Sequence, residues 1–571
     1  MDSPYFTIYA ECSANEAREW AVCFDEFRRY VSGVIHVPPT QLQPLTIVMF
    51  SNRGQLLPYL PKKNGHVPAE LKGQTMTLPT GTVVISHIDW DEANTRETFY
   101  ENGTYWFLGG FKYSGPDWFQ AGLAGAFSTF LVTRSDVRVG LSPRADLAVL
   151  QSHSLMPLPQ LFGIEMKNLD FEDDVRTNLF YAESWALVHY HIFGRDASHH
   201  SGTRAPQLGD FMEALQKGEA AEPAFRRIFG TDYEGMLARL RRYISGGNYS
   251  IIVNKLDQAA SAKAFTAEVE TDAGVEMAHG FASLGDANFT GARQHFLIAQ
   301  TLPGGELRAE EALGDVAISS DDLAEAKVHY LRAAELGSRN YRVYYYLGEL
   351  LERDALADSS RLPKFEPALA REAANRFERA INLYPRYVPS YEGLALLMPS
   401  VTAYSESDRQ FLELGIQMAP DNDLIAAGLG RWEIGNHQVE KGQARLRGLL
   451  AAGRQPSRLA QMIIQESTDA QAASAGLATA RQLMAEGKTE AAGSLVEKLL
   501  EQSSDSEQRA ALAALQTEIG QLDLVMQAET QAEQQQWAAA ATLAQNVLDL
   551  SPPAELAKRA KAVLSRVKEK K

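Results

Sequence analysis

The stretches GFASLGDANFTGARQHFLIAQ, Gly280–Gln300, and GDVAISSDDLAEAKVHYLRAA, Gly314–Ala334, decide how the larger half of this chain folds. They lie 34 residues apart. Gly280 is followed by Ala292, Phe296 and Ala299, and Gly314 by Ala326, Tyr330 and Ala333, at offsets of 12, 16 and 19 in both. Small residues at these places let the two helices of a hairpin approach closely, and the aromatic is expected to fill the gap between neighbouring hairpins. A third unit starts at Gly348, another 34 residues on, and resumes the pattern at Ala373, Phe377 and Ala380 after an insertion of 13 residues. The insertion, near 353–367, contains Asp, Ser, Pro and Lys and reads as a surface loop, and Pro385 then breaks the helix.

This pattern resembles the tetratricopeptide repeat. Weaker units carry Tyr391, Leu394 and Pro420, then Gly430 with Gly442, then EGKTEAAGSLVEKLL at Glu486–Leu500, then Trp537, Ala540, Val547 and Pro552. About seven units are expected over 266–571, with the register set by the first three; after Asn436 an irregular helical bundle is the alternative. The resemblance implies a superhelix whose concave face takes an extended peptide or another protein's helix. In YRVYYYLGEL, Tyr341–Leu350, the residues Tyr341, Tyr344, Tyr345 and Tyr346 cannot all point inward from one helix. Two of them belong to the core in one reading; in the other, Tyr341, Tyr344 and Tyr345 are part of a partner-binding strip.

Before about Leu256 the texture differs. Strand-like runs occur at Phe6–Glu11, Leu45–Ser51, Gly81–Ile88 and Val137–Leu141, each short, β-branched or aromatic, and bounded by polar or Gly/Pro residues. NEAREWAVCFDEFRRYV, Asn15–Val31, places Trp20, Phe24, Phe27 and Val31 on one apolar stripe. Similar stripes run through Ala182–Phe193, Phe211–Gln216 and Ala224–Ile244. Residues 1–256 thus read as an α+β domain with a small sheet, 257–265 (DQAASAKAF) as a junction, and 266–571 as an all-α repeat array.

Composition narrows the function. A net charge of −17 over 571 residues argues against nucleic-acid backbones, whose binding needs clustered Lys and Arg. The longest apolar runs, such as LTIVMF, fall far short of the roughly 20 residues of a membrane helix. Cys12 and Cys23 are too few for a disulfide framework; they are either buried thiols or, in an exported chain, a pair.

One segment of the first domain has the outline of a catalytic site. Zinc peptidases of the HExxH type hold the metal with two His four residues apart on one helix face, use the adjacent Glu as general base, and in one branch take a third ligand from a Glu on the next helix. TFYENGTYWFLGGFKYSGPDWFQAGLAGAFSTFLV, Thr98–Val132, resembles the gluzincin-like domain of bacterial "peptidase MA-like" proteins, which are often followed by tetratricopeptide repeats. The resemblance covers roughly Ser3–Ser245 and implies a zincin-like fold. Position by position, Tyr100 stands for the first His, Thr104 for the second and Ala121 for the ligand Glu. Only Glu101, at the general-base position, and the frame Trp118, Gly122, Leu123 and Ala124 are kept.

Hydroxyls are weak zinc ligands beside imidazole. Asn102 and Gly103 lower helix propensity, so the motif helix is expected to start late or distort. His189 and His191 are about 200° apart on a helix and cannot share one ion. His199 and His200 sit in a Ser/Gly-flanked loop, and His87 reads as structural. These residues lead to a non-catalytic, cofactor-free protein-binding or scaffold protein, with a groove lined by Tyr100, Glu101, Thr104, Trp118 and Ala121. The competing readings are an active metal-dependent peptidase with non-standard ligands and Glu101 as base, and an array that carries all the function. The resemblance implies export, and the sequence opens almost at its first strand, so a periplasmic protein without its signal peptide is expected.

Overall fold

The computed structural model describes residues 5–34, 44–62, 65–67, 71, 73–89, 95–109, 115–169, 174–194, 204–358, 364–398, 405–451, 456–503 and 506–570. The chain forms two compact units, Met1–Leu351 with Asn375–Ser390, and Glu352–Ala374 with Tyr391–Lys571.

In the first unit, strands β1 (Phe6–Ala10), β2 (Leu45–Phe50) and β4 (Thr82–His87) run parallel. Strand β3 (Gly73–Thr77) adds antiparallel to β4, which makes the order β1-β2-β4-β3. Side chains alternate along each strand. Phe6, Ile8, Ile47, Met49 and Val84 therefore enter one core, and Tyr9, Val48, Phe50, Val83 and Ile85 enter another. The first core is completed by the Ala14–Val34 helix, through Trp20, Phe24, Phe27 and Val31, and by the helices Thr95–Gly109, Asp117–Ser128 and Asp174–Ile192. The second is completed by the first two repeats, through Met277, Leu284, Phe296 and Leu313. A strand covered on both faces is apolar throughout, which is why LTIVMF does not alternate.

The hydrophobic core thus crosses the segment 257–265. That segment carries a short helix, Gln258–Ala262, packed on Ala14–Val34. A second small sheet is formed by β5 (Leu131–Val132), β6 (Asp136–Val139) and β7 (Ile252–Lys255), all antiparallel. The apolar stripe over Ala224–Ile244 belongs to two helices, Ala221–Phe229 and Tyr233–Gly246. Gly230, at φ 61°, ends the first, and the Asp232 side chain accepts from the Gly235 N–H to cap the second.

The repeats of this unit begin with the pairs Asp272–Ser283/Phe289–Thr301 and Glu306–Ser319/Leu323–Glu335. A Cβ on Gly280 would lie 2.3 Å from the Phe296 ring, one on Gly314 2.3 Å from the Tyr330 ring, and one on Gly348 2.7 Å from the Phe377 ring. The aromatic covers the glycine of its own hairpin and also meets the next one: Phe296 shares a core with Ala309 and Leu313, and the Tyr330 ring stacks 6.5 Å from Tyr346. The turn also recurs: Ala287 (φ 53°) and Asp321 (φ 59°) are left-handed, and the Asn288 and Asp322 side chains then cap the second helix.

In the second unit the insertion after Gly348 is more than a loop, because Leu356–Asp358 (β8) and Lys364–Phe365 (β9) pair antiparallel. Helix pairs follow, including Asp423–Gly435/Val439–Ala451, Arg458–Ala485/Thr489–Gln502 and Ser506–Glu533/Trp537–Asp549, with Ala554–Glu569 after them. The left-handed turn residue returns at His437 (φ 61°), Gly487 (φ 76°) and Gln535 (φ 61°). Past Asn436 the hairpin is therefore still the building block, while two first helices lengthen to 28 residues.

Candidate functional site

The motif helix, Thr95–Gly109, is continuous through Asn102 and Gly103, contrary to the expectation from propensity. The reason is tertiary: a Cβ at Gly103 would lie 2.8 Å from the Phe27 ring, so only glycine lets the helix sit this close. Tyr100 is fully buried, its ring centroid 4.9 Å from Phe27, 5.3 Å from Phe130 and 5.5 Å from Phe99. Thr104 is buried and donates its hydroxyl to the Tyr100 carbonyl at 2.9 Å. Ala121 and Trp118 are each 2% exposed, and the Trp118 ring packs 4.8 Å from Phe162. Aromatic packing fills the place where a groove along these side chains was expected.

Gly122, in the WFQAGLA segment, has a packing role. A Cβ on Gly122 would fall 2.4 Å from the Ser184 carbonyl oxygen and 2.4 Å from Val188 Cγ2, so the Asp117–Ser128 helix rests directly on Asp174–Ile192.

Glu101 is only partly exposed, near the carboxylates of Asp146 and Glu97. Burial, and after it those two charges, push its carboxyl up to about 8; burial pushes Asp146 up to about 6. A protonated Glu101 is a hydrogen-bond donor and not a base. The linkage has a definite sign: between about pH 4.5 and 8 the folded chain holds a proton that the unfolded chain has released, so stability falls as pH rises through this window. Glu101→Gln should remove that contribution. Its denaturation midpoint is expected to match the wild type near pH 4 and to exceed it at pH 8 by the equivalent of about 1–3 kcal/mol. Equal pH slopes for the two proteins would refute this.

The histidines are committed elsewhere. His189 Nε2–H donates to the Gly140 carbonyl at 2.9 Å, and Nδ1 accepts from the Tyr243 hydroxyl at 2.7 Å. His191 donates from Nδ1 to the Leu187 carbonyl at 2.7 Å. Burial lowers both to about 4, so both are neutral at ordinary pH. His87 is fully buried at the end of β4, and His199 and His200 lie outside the described residues. Among the described residues no three His, Cys, Asp or Glu side chains converge on a possible metal position. Cys12 and Cys23 are free thiols, and burial pushes Cys23 up to about 12.

Of the tyrosines in Tyr341–Leu350, Tyr341 and Tyr344 are the buried pair, which removes them from an exposed strip. Tyr341 packs on Tyr384 at 4.7 Å and Tyr387 at 5.0 Å, and the Tyr344 hydroxyl donates to the Ser338 carbonyl. Tyr345 and Tyr346 stay half-buried, with the Tyr345 hydroxyl on Glu349.

A larger concave feature was not legible in the sequence. Within the first unit a cavity of ≈ 550 Å³ lies at the amino ends of β1, β2 and β4, bounded by Arg308, Glu311 and Asp315 of the second repeat and by Arg339 and Tyr341 of the third. Its lining runs from Tyr5 to Tyr384, so no local spacing could reveal it. Asp315 anchors the repeat to the sheet: it accepts from the Thr80 N–H at 3.0 Å, the Thr80 hydroxyl at 2.7 Å and the Tyr330 hydroxyl at 2.7 Å. Burial pushes it up to about 7 against the downward pull of those donors.

No family model matches the chain, and no curated protein matches it. Among solved structures it is similar to a MamA protein, at 16% identity over 32% of this chain and 91% of that one, with a TM-score of 0.25. It is also similar to a tetratricopeptide repeat protein from Parabacteroides merdae, at 13% identity over 52% and 98%, with a TM-score of 0.24. A human IFIT1 dimer with PPP-AAAA is similar at 13% identity over 64% and 88%, with a TM-score of 0.18. At such values the likeness carries no argument, and the helix-hairpin repeat rests on the chain's own glycine–aromatic pairs and recurring turns.

Proposed function

We propose that this chain is a non-catalytic binding or scaffold protein, in which a degenerate peptidase MA-like domain supports tetratricopeptide hairpins that bind a peptide or protein partner. The observation that carries this reading is Tyr100. It stands where the resemblance puts the first zinc ligand, and its ring is packed among Phe27, Phe99 and Phe130. Thr104 and Ala121, at the other two ligand positions, are buried and offer one hydroxyl already used and one methyl. A catalytic zinc needs about three protein donors. Glu101, held toward its protonated form, is poorly suited to activate water.

Binding is what stacked helix hairpins supply when no reactive group is present. The chain's charge of −17 weighs against a nucleic-acid partner, and no described helix is long and apolar enough to cross a membrane. An exported, periplasmic location belongs to the same proposal.

The full chain, purified without chelator and supplied with zinc, is expected to retain less than stoichiometric metal and to leave a peptide library uncut. One tightly held zinc together with cleavage abolished by chelator and by Glu101→Ala would overturn the reading in favour of a peptidase with non-standard ligands.

A further inference from the structure

The cavity at the amino ends of the parallel strands has the volume of a small-ligand site, and its lining sorts by chemistry. The acids are turned inward and already hold donors. Asp315 has Thr80 and Tyr330, and Glu311 accepts from the Ser338 hydroxyl while burial pushes its carboxyl up. The walls are aromatic, with Phe281, Tyr341 and Tyr384 among them.

The rim is cationic. Arg308 is exposed and donates to the Tyr9 hydroxyl at 2.6 Å and the Thr7 hydroxyl at 3.3 Å. Arg339 is exposed and makes no hydrogen bond or ion pair with a described residue. Behind them Arg342 is buried and donates to the Pro79 carbonyl at 2.7 Å. Of the charged groups lining the opening, the exposed ones are the guanidiniums of Arg308 and Arg339, while Glu311, part-buried, lies within reach of the Arg308 charge.

A guanidinium fork at the mouth of an aromatic cavity selects an anion with an apolar body. The inward carboxyls disfavour a dianion, which leaves a single negative charge at the rim. We propose that this cavity binds a monoanionic carboxylate with an aromatic or branched aliphatic body, its carboxylate held by Arg339 beside Arg308 and its body against the wall that includes Phe281 and Tyr341. Two sources share this chemistry: a free small acid, and the C-terminal residue of a protein. The proposal does not depend on the repeats binding a partner elsewhere, so the two can fail separately.

The full-length chain is titrated by calorimetry with N-acetylphenylalanine, N-acetylphenylalaninamide, phenyl phosphate, and a peptide ending in Phe with its C-terminus free or amidated. The free acids are expected to bind at least about ten-fold more tightly than the amides, with increased hydrogen-exchange protection at residues 5–9 and 306–315. Arg339→Gln is expected to weaken the free acids by at least about ten-fold, and Arg339→Lys by less. Because Arg339 is exposed and unbonded, both variants should keep the wild-type melting curve.

Tighter binding of N-acetylphenylalanine assigns a small acid, and tighter binding of the free peptide assigns a protein terminus. Equal binding of acid and amide, a preference for phenyl phosphate, unchanged affinity in Arg339→Gln, or no binding of any probe up to about 10 mM would each overturn the proposal.

Discussion

A fragment of residues 266–571 is expected to lose the fold of its first two helix pairs, whereas a fragment of residues 1–390, which contains the whole first unit, is expected to keep its own. The first repeats share a core with the sheet: Tyr9, Val48, Phe50, Val83 and Ile85 pack with Met277, Leu284, Phe296 and Leu313. The contact is close enough that a Cβ on Gly285 would lie 2.4 Å from Ile85 Cδ1 and 2.4 Å from the Tyr59 carbonyl oxygen. Polar anchors reinforce it, through Thr80 on Asp315, Asn340 on the Thr80 carbonyl and Arg342 on the Pro79 carbonyl.

Without the sheet, Asp315 keeps Tyr330 and loses both Thr80 donors. Each large apolar side chain returned to water costs about 1.5–3 kcal/mol, and several together rival the 5–15 kcal/mol or so that holds a typical domain folded. Hydrogen exchange over 272–335 is the measurement. Strong protection in the full chain and in 1–390, and its loss in 266–571, is the expected result; native-like protection in 266–571 would show that the repeats need no sheet.

Gly122→Ala is expected to destabilise the first unit by about 1–3 kcal/mol, and Gly122→Leu to prevent its folding. The added Cβ meets a backbone carbonyl, that of Ser184, as well as Val188, and a carbonyl inside a helix cannot swing aside as a flexible side chain can. Gly209 is the control. It lies in the Ala205–Gln216 helix with open space around its Cβ position, so Gly209→Ala should stabilise by about 0.5–1 kcal/mol through the unfolded state. Denaturant midpoints of the two variants moving in opposite directions would confirm that Gly122 is kept for helix contact; a neutral Gly122→Ala would refute it.

These expectations also separate what was readable in the residues from what was not. The spacing Gly280, Ala292, Phe296, Ala299 is local, because both helices of a hairpin lie within one 34-residue period. It announced the close approach of the two helices and the aromatic's packing toward the next hairpin, while the cover that the ring gives its own hairpin's glycine came only from the structure. That Tyr100, Thr104 and Ala121 are poor zinc donors was equally plain, since donor chemistry is a property of the side chain itself.

The groove was misjudged because exposure is not local. Tyr100 and Trp118 are buried by Phe27, Phe130 and Phe162, which come from elements far along the chain. The upward push on the Glu101 carboxyl has the same origin, in burial and after it in Asp146.

By itself, then, the sequence determined the repeat period, the change from mixed to helical structure, and the weak donor chemistry of Tyr100, Thr104 and Ala121, all of which depend on residue type and short spacing. Only the tertiary structure decided that the second face of the sheet is covered by the first repeats. LTIVMF records that both faces are dry but carries no information about which distant helices dry them, and the cavity with Arg308 and Arg339 at its rim exists only once those helices are in place.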